Sequence, residues 1–173
     1  RLPSRFTAWS TITADIVHVA STYPEPVSTC VLLRHGRSSA NAAGVLAGWM
    51  PDVHLDETGR ADAAAAARAL VDAAPVLVAC SPLARCRETA QPLLDALPGL
   101  RHLEEVDLGE CRYGAWTGRP IAELAQEPLW RAVQDDPASV TFPADPEHET
   151  ESIAAMADRT WAAVERIGRT VDE

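Results

Sequence analysis

Apolar residues fall into short unbroken runs and into longer stretches with helical spacing. Cys30–Leu33 and Val76–Cys80 are runs of the length typical of fully buried strands in a parallel sheet. Between them, residues 57–74 are rich in alanine, and five apolar positions share one helical side: Ala61, Ala64, Ala67, Leu70 and Val71. We therefore predict a strand, a helix ended by Pro75, and a second strand.

The alternation continues after the second strand. Ser81-Pro82 supplies a cap and a first helical position, which predicts a helix from Leu83 to about Leu97. A strand, a loop, a helix, a loop and a last helix are predicted at residues 102–108, 108–118, 120–133, 135–149 and from about Glu151. The last helix carries an apolar stripe of Ile153, Met156, Val164, Ile167 and Val171. Alternating strands and helices predict an α/β fold, a mainly parallel sheet flanked by helices on both faces.

The 173 residues suffice for one domain, and its start is marked near residue 28. Polar residues interrupt the most apolar part of residues 1–27, which makes a poor signal peptide, and Pro24-Glu25-Pro26 follows. We expect residues 1–27 to be a weakly ordered N-terminal extension and residues 28–173 to be the domain.

Composition and net charge limit the classes of partner that the protein is expected to bind. The net charge of −10 and the pI of about 4.9 argue against nucleic acid and anionic membranes. They leave a phosphorylated substrate open, because exposed charges are screened beyond roughly 8 Å at physiological salt. No apolar run is long enough to cross a bilayer. The four cysteines lack a Cys-x-x-Cys pair, which favours reduced, mostly buried thiols in a cytoplasmic protein without a disulfide or metal site.

Candidate chemistry follows both predicted strands. The first ends in Arg34, His35 and Gly36, and the second is followed by a helix whose first turn holds Arg85. Ligands of open parallel sheets bind beyond the carboxyl ends of the strands, helix N-termini attract anions, and arginine matches phosphate geometry. Since imidazole can act as a nucleophile, these residues predict a phosphate or carboxylate site with a histidine.

Four ordered segments resemble the histidine phosphatase superfamily, which includes cofactor-dependent phosphoglycerate mutase. They are the opening motif at 33–38 (LRHGRS), Gly48-Trp49 followed by Asp52, Leu55 and Gly59, the second phosphate-binding motif at 81–90 (SPLARCRETA), and Glu110 with 113–118 (YGAWTG). The resemblance runs from about residue 29 to the end of the sequence and implies a phosphoglycerate mutase-like fold.

The resemblance also implies roles for individual residues. His35 would be the nucleophile that becomes phosphorylated, and Glu110 would protonate the leaving alcohol and then activate water. Arg34 and Arg85 would bind the phosphoryl oxygens, with Asn41 as a hydrogen-bond donor beside them. No cofactor or metal is implied, because the arginines supply the positive charge that a metal would otherwise provide.

The sequence departs from the family in two places. The family carries a second histidine in a Ser-or-Thr-His-Gly motif, and nothing in residues 119–173 matches it. The chain ends in the helix that would precede that motif, so we expect either a C-terminally incomplete domain or a degraded relative. We expect the isolated chain to be less stable than a complete member or to complete its sheet with another chain, as a homo-oligomer would. The second departure is an insertion, Ala144–Thr150, before Glu151-Ser152.

Three functions remain open. The leading one is a phosphatase that hydrolyses small phosphomonoesters through a phosphohistidine. The first rival is a mutase, which is disfavoured because we find no basic substrate-holding insertion. The second rival is a non-catalytic phosphate-binding or scaffold protein, suggested by the unmatched second histidine.

Several other residues could be assigned to the chemistry. His148, which the insertion places between two glutamates, is predicted to be a solvated loop residue, as are His54 and His102. Trp49 and Trp116 either shape a substrate pocket or pack in the core, and the sequence does not separate these alternatives.

Overall fold

The structure is a computed structural model that describes residues 14–18 and 29–171. These residues form a mixed α/β fold. Its strands are β1 (Ala14–His18), β2 (Thr29–Leu33), β3 (Leu77–Cys80) and β4 (Arg101–Glu104). Its α-helices are α1 (Ser39–Ala43), α2 (Glu57–Val71), α3 (Ala84–Ala96), α4 (Ile121–Leu124), α5 (Pro128–Asp135) and α6 (Ile153–Val171). Short 3₁₀ turns occupy Val106–Leu108, Gly114–Trp116 and Pro137–Ser139.

Within the described residues the strands hydrogen-bond as two pairs. β3 and β4 run parallel, with Leu77 opposite Arg101, as the alternating pattern predicts. β2 instead pairs antiparallel with β1, with Leu33 opposite Ala14. The prediction of a fully buried parallel strand is therefore wrong for β2, and its Leu32 is 42% exposed.

β1 lies inside the segment expected to be a weakly ordered extension, and the sequence pattern does not predict it. Residues 1–13 and 19–27 of that segment lie outside the described residues. The expected weak order of the extension stays a prediction.

The helices α1 and α2 begin at side-chain caps. Ser38 and Asn41 form a capping box at α1, and the Asp56 side chain accepts a hydrogen bond from the Gly59 N–H at the start of α2. The buried residues of α2 are Gly59, Ala63 and Ala67, of which only Ala67 belongs to the predicted side. Small residues at this spacing let neighbouring backbones approach closely.

Three helix boundaries differ from those predicted. α3 begins one residue later, with Leu83 in the capping position, and the Ser81 hydroxyl lies 3.4 Å from the Leu83 N–H. The helix predicted at 120–133 is two helices, because Pro128 begins α5 as a new first turn. The final helix begins at Ile153.

A compact apolar cluster lies behind the loop that carries Glu110. Its buried members are Cys111, Trp116, Leu124, Val140 and Phe142, and Ile153 and Met156 of the predicted α6 stripe pack against it. Trp116 is 1% exposed, so it packs in the core rather than shaping a pocket.

All four cysteines are free thiols, and burial raises the pKa of Cys80 to about 11 and that of Cys111 to about 12.

None of the helices in the described ranges combines the length and the apolar character that a bilayer span requires.

Candidate active site

His35 follows the carboxyl end of β2 and has a fixed orientation. Its Nδ1 lies 2.7 Å from the Gly36 carbonyl oxygen, and its Nε2 lies 3.2 Å from Nε of Arg85. A carbonyl only accepts and a guanidinium only donates, so Nδ1 carries the hydrogen and Nε2 carries the lone pair. Burial lowers the pKa of His35, and the charges of Arg85 and Arg34 lower it further. Both contacts fit an imidazole with a hydrogen on Nδ1 and with the lone pair of Nε2 facing an arginine.

Arg85 lies in the first turn of α3 and is 2% exposed. Besides contacting His35, it donates from Nη2 to the Gly48 carbonyl at 2.9 Å. Burial of an arginine is costly unless its donors are paired or it meets an anion. An arginine in this position therefore favours an anion beside Nε2 of His35.

Thr89 joins the loop that carries His35 to helix α3, which carries Arg85. Its hydroxyl donates to the Arg85 carbonyl at 2.7 Å and accepts the Gly36 N–H at 3.0 Å. Gly36 also meets the start of α2, where a Cβ on Gly36 would lie 2.5 Å from the Gly59 carbonyl oxygen. Only glycine allows this approach, so the loop after β2 is clamped between α2 and α3.

Arg34 and Asn41 were predicted to bind the phosphate. Arg34 lies close enough for its charge to act on His35. The amide oxygen of Asn41 accepts from both the N–H and the hydroxyl of Ser38, at 3.0 and 2.9 Å. The observed contacts of Asn41 are those of a helix cap, and its role as a donor to phosphate stays a prediction.

Glu110 is held by two hydrogen bonds. Its Oε1 accepts from the Tyr113 hydroxyl at 3.1 Å and from the Cys111 N–H at 3.0 Å. Burial, and next the negative charge of Glu110, raise the pKa of Tyr113 well above its usual value, so Tyr113 remains a donor. The charge of Glu110 also acts on His35, where it opposes the lowering of the pKa.

Arg159 of α6 holds the backbone around Glu110. It donates to the carbonyls of Asp107 (2.7 Å), Gly109 (3.0 Å) and Glu110 (2.9 Å). It also contacts both carboxylate oxygens of Glu151, at 2.6 and 2.9 Å. These five contacts use all five donors of the guanidinium.

The structure thus brings His35 and Arg85 into contact and places the charges of Arg34 and Glu110 around them. The strands that precede His35 and Arg85, β2 and β3, belong to different hydrogen-bonded pairs among the described residues. Among the described residues, no group of three or more His, Cys, Asp or Glu side chains could hold a metal ion.

Sequence reasoning missed four supporting residues: the carbonyl of Gly48, Thr89, Tyr113 and Arg159. Thr89 and Tyr113 lie inside the motifs quoted above, so their positions were available as a signal. Arg159 lies 49 residues beyond Glu110, and nothing in the sequence joins the two.

The remaining histidines have separate environments. His54 is exposed in a loop, as predicted, and pairs with Glu88. His102 is exposed, as predicted, but lies in strand β4 rather than in a loop, 3.3 Å from the sulfur of Cys80. His148 is in a loop, as predicted, but it is half-buried rather than fully solvated. Trp49 donates its indole N–H to the Glu110 carbonyl, which places it beside the site.

Known proteins provide three comparisons. The profile of the histidine phosphatase superfamily (branch 1) matches residues 30–173. A 2,3-bisphosphoglycerate-dependent phosphoglycerate mutase from Rhodococcus opacus is 35% identical over 127 residues, which are 66% of this chain and 49% of that protein. The chain therefore spans about half the length of this curated relative.

Two solved structures share the architecture. A mycobacterial glucosyl-3-phosphoglycerate phosphatase matches with a TM-score of 0.66 and 29% identity, over 78% of this chain and 64% of that one. An alpha-ribazole phosphatase from Shigella flexneri matches with a TM-score of 0.64 and 27% identity, over 80% of this chain and 66% of that one.

Proposed function

The chain belongs to the histidine phosphatase superfamily, and on that premise we propose that it hydrolyses small phosphomonoesters through a phosphohistidine formed on His35. The observation that carries the proposal is the pair of contacts to the imidazole. Gly36 fixes the hydrogen on Nδ1, and Arg85 faces the lone pair of Nε2 at 3.2 Å.

The arginines serve as the phosphate ligands. The phosphoryl oxygens take the Nε hydrogen bond that Arg85 gives to His35, and the charge of Arg34 adds to the attraction. Phosphoryl transfer depends mainly on positioning and on stabilising charge on the equatorial oxygens, which two guanidinium groups do well. The mycobacterial relative was solved in complexes with VO3 and with inorganic phosphate, which supports an anion site in this chain.

The reaction has two steps. In the first, a bond forms between Nε2 of His35 and phosphorus, the bond from phosphorus to the alcohol oxygen breaks, and Glu110 gives its proton to that oxygen. In the second, the Glu110 carboxylate takes a proton from water. The water oxygen bonds to phosphorus, the bond to Nε2 breaks, and inorganic phosphate leaves with His35 restored.

Tyr113 and Cys111 orient Glu110 for both steps. They donate to Oε1, so the carboxyl group presents Oε2 to the reacting oxygens. A general acid must lie within hydrogen-bond reach of the oxygen it protonates, and a fixed carboxyl group meets this requirement better than a mobile one.

A mutase is the second candidate, favoured by the curated mutase relatives of this chain. It would return the phosphoryl group to a substrate hydroxyl rather than to water. Incubation with 3-phosphoglycerate separates the two, because a phosphatase releases inorganic phosphate and a mutase forms the 2-phospho isomer.

The test compares three proteins on a generic aryl phosphate: the full chain, His35→Ala, and His102→Ala as a matched control outside the site. We expect His35→Ala to lower the rate of phosphate release by about a thousandfold or more, and His102→Ala to leave it nearly unchanged. Brief turnover of labelled substrate should leave acid-labile, base-stable phosphate on the parent and none on His35→Ala. Equal rates for the parent and His35→Ala would refute the nucleophile. Absence of both turnover and labelling in the parent would favour the non-catalytic alternative.

A further inference from the structure

A cavity of about 390 Å³ opens beside the candidate active site. Its lining combines an aromatic ring and a hydroxyl with charged and titratable side chains: Trp49, Arg112, Thr117, Glu147, His148 and Glu149. None of these side chains takes part in the two steps proposed above. A cavity of this size accommodates the non-phosphate part of a small molecule.

Trp49 connects the cavity to the phosphoryl-transfer groups. Its indole N–H donates to the Glu110 carbonyl, and the preceding residue, Gly48, accepts the hydrogen bond from Arg85. In the proposed reaction the leaving oxygen lies between Arg85 and Glu110. The alcohol attached to that oxygen therefore extends past Trp49 into the cavity.

One wall of the cavity comes from the insertion at Ala144–Thr150, and this wall is fixed in place. The Asp145 carboxylate accepts from the N–H groups of Glu147 and His148, at 2.8 and 2.9 Å. At its far end the Glu149 carbonyl accepts the Gly114 N–H at 3.0 Å. Gly114 adopts a left-handed φ of 51°, and a Cβ there would lie 2.1 Å from the Pro143 carbonyl oxygen.

The charge of the lining is unfavourable for a second anion. One arginine faces two glutamates, and Arg112 is already paired with Glu149 and lies 3.9 Å from Glu151. Its guanidinium also lies over the Trp49 ring, at 4.8 Å from the centroid. The cation is thus committed to protein partners, while the carboxylate oxygens can accept further hydrogen bonds.

We propose that this cavity receives the leaving group and selects phosphomonoesters whose alcohol carries hydrogen-bond donors and no second negative charge. This inference rests on the proposed function. The donors are hydroxyl groups, as in a polyol or sugar phosphate, or an ammonium group, as in an amino-alcohol phosphate. Glu147 and Glu149 accept these donors and repel a carboxylate at the same position.

A matched pair of substrates tests the selection. Glycerol 3-phosphate and 3-phosphoglycerate share a three-carbon skeleton and differ in a hydroxymethyl group against a carboxylate. We expect the full chain to prefer glycerol 3-phosphate in kcat/KM by about five- to tenfold, the effect of one like-charge contact near the surface. Phosphoethanolamine, measured alongside, tells an ammonium preference from a hydroxyl preference.

The double variant Glu147→Gln/Glu149→Gln removes both charges and releases Arg112, so the preference should disappear or reverse toward 3-phosphoglycerate. Glu123→Gln, an exposed glutamate of α4, is the matched control and should keep the parent's preference. An unchanged ratio in the double variant would overturn the proposal.

The two proposals fail separately. Hydrolysis of aryl phosphate that depends on His35, without discrimination between the three-carbon substrates, overturns the selective cavity and leaves the phosphatase standing. Calorimetric titration of His35→Ala with both compounds needs no turnover. Tighter binding of 3-phosphoglycerate there would overturn the selective cavity whether or not the parent is active.

Discussion

Replacement of Arg159 by alanine should loosen the segment that carries Glu110. The guanidinium is only 14% exposed and its partner Glu151 only 11%, and five contacts join Arg159 to Glu151 and to three backbone carbonyls. Loss of one partner of a buried ion pair costs about 3–5 kcal/mol. Glu151 keeps the hydrogen bond from the Arg112 N–H at 2.9 Å, so the lower end, about 3 kcal/mol, applies.

The measurement is a thermal melt of the full chain and its variants. For a domain of this size, about 3 kcal/mol corresponds to a decrease in Tm of roughly 6–12 °C. Arg166→Ala is the matched control, because Arg166 lies on the same helix and pairs with Glu105 and Asp107, yet is 45% exposed. An exposed pair is worth at most about 1 kcal/mol. Equal losses of Tm in the two variants would refute the estimate.

Catalysis offers a second readout for Arg159, which acts as a positioning residue through Glu110. An aryl alcohol leaves readily without a proton, whereas an alkyl alcohol needs one from Glu110. Arg159→Lys, which keeps a cation but not the fork geometry, should lower kcat/KM for an alkyl phosphate more than for an aryl phosphate. A loss of the same size on both substrates would mean that Arg159 serves the fold alone.

Two further predictions concern backbone and pH. Gly114→Ala should lower the free energy of unfolding by at least about 2 kcal/mol and weaken the substrate preference, because the new Cβ would clash with the Pro143 carbonyl. Gly44 has a similar φ of 66° but open space around it, so Gly44→Ala should lower the free energy of unfolding by only about 1 kcal/mol in the same melts. For His35, burial and next the charges of Arg85 and Arg34 lower the pKa, so kcat/KM should hold through pH 6.5 and fall only below it. Because the pKa of His35 is lower in the folded chain than in the unfolded chain, the unfolded chain binds the proton more readily, and stability should decrease as pH falls below about 6.5. This decrease should be smaller in His35→Gln. A value of kcat/KM that already falls with decreasing pH above pH 6.5 would contradict the assignment of His35 as the nucleophile.

The sequence predicted the elements that local chemistry specifies. Alanine periodicity located α2, and the apolar run before Ser81 located β3. Strand partners were less accessible, since an apolar run does not say which chain segment will pair with it. β2 therefore differed from prediction, with an antiparallel neighbour drawn from residues 14–18.

The same difference between local and long-range features applies to the candidate site. His35, Arg85 and Glu110 were predicted because each lies in a short motif whose residue spacing can be recognised in the sequence alone. Arg159 was not predicted, since three of its five contacts are to backbone carbonyl oxygens, which any residue supplies. The place of Glu147 and Glu149 at the cavity was not predicted either, because it depends on the turn at Asp145 and on the hydrogen bond between Gly114 and Glu149.

The contact between His35 and Arg85 does not depend on a hydrogen-bonded ladder between β2, which precedes His35, and β3, which precedes α3, because the described residues form none. Two buried contacts make the connection instead: the Gly36 N–H to the Thr89 hydroxyl at 3.0 Å, and that hydroxyl to the Arg85 carbonyl at 2.7 Å. The packing of Gly36 on Gly59 adds the first turn of α2. The geometry of the candidate site thus depends on the N-terminal halves of α2 and α3. It follows that the site can retain its shape under changes in strand pairing that would disrupt a site built on one continuous sheet.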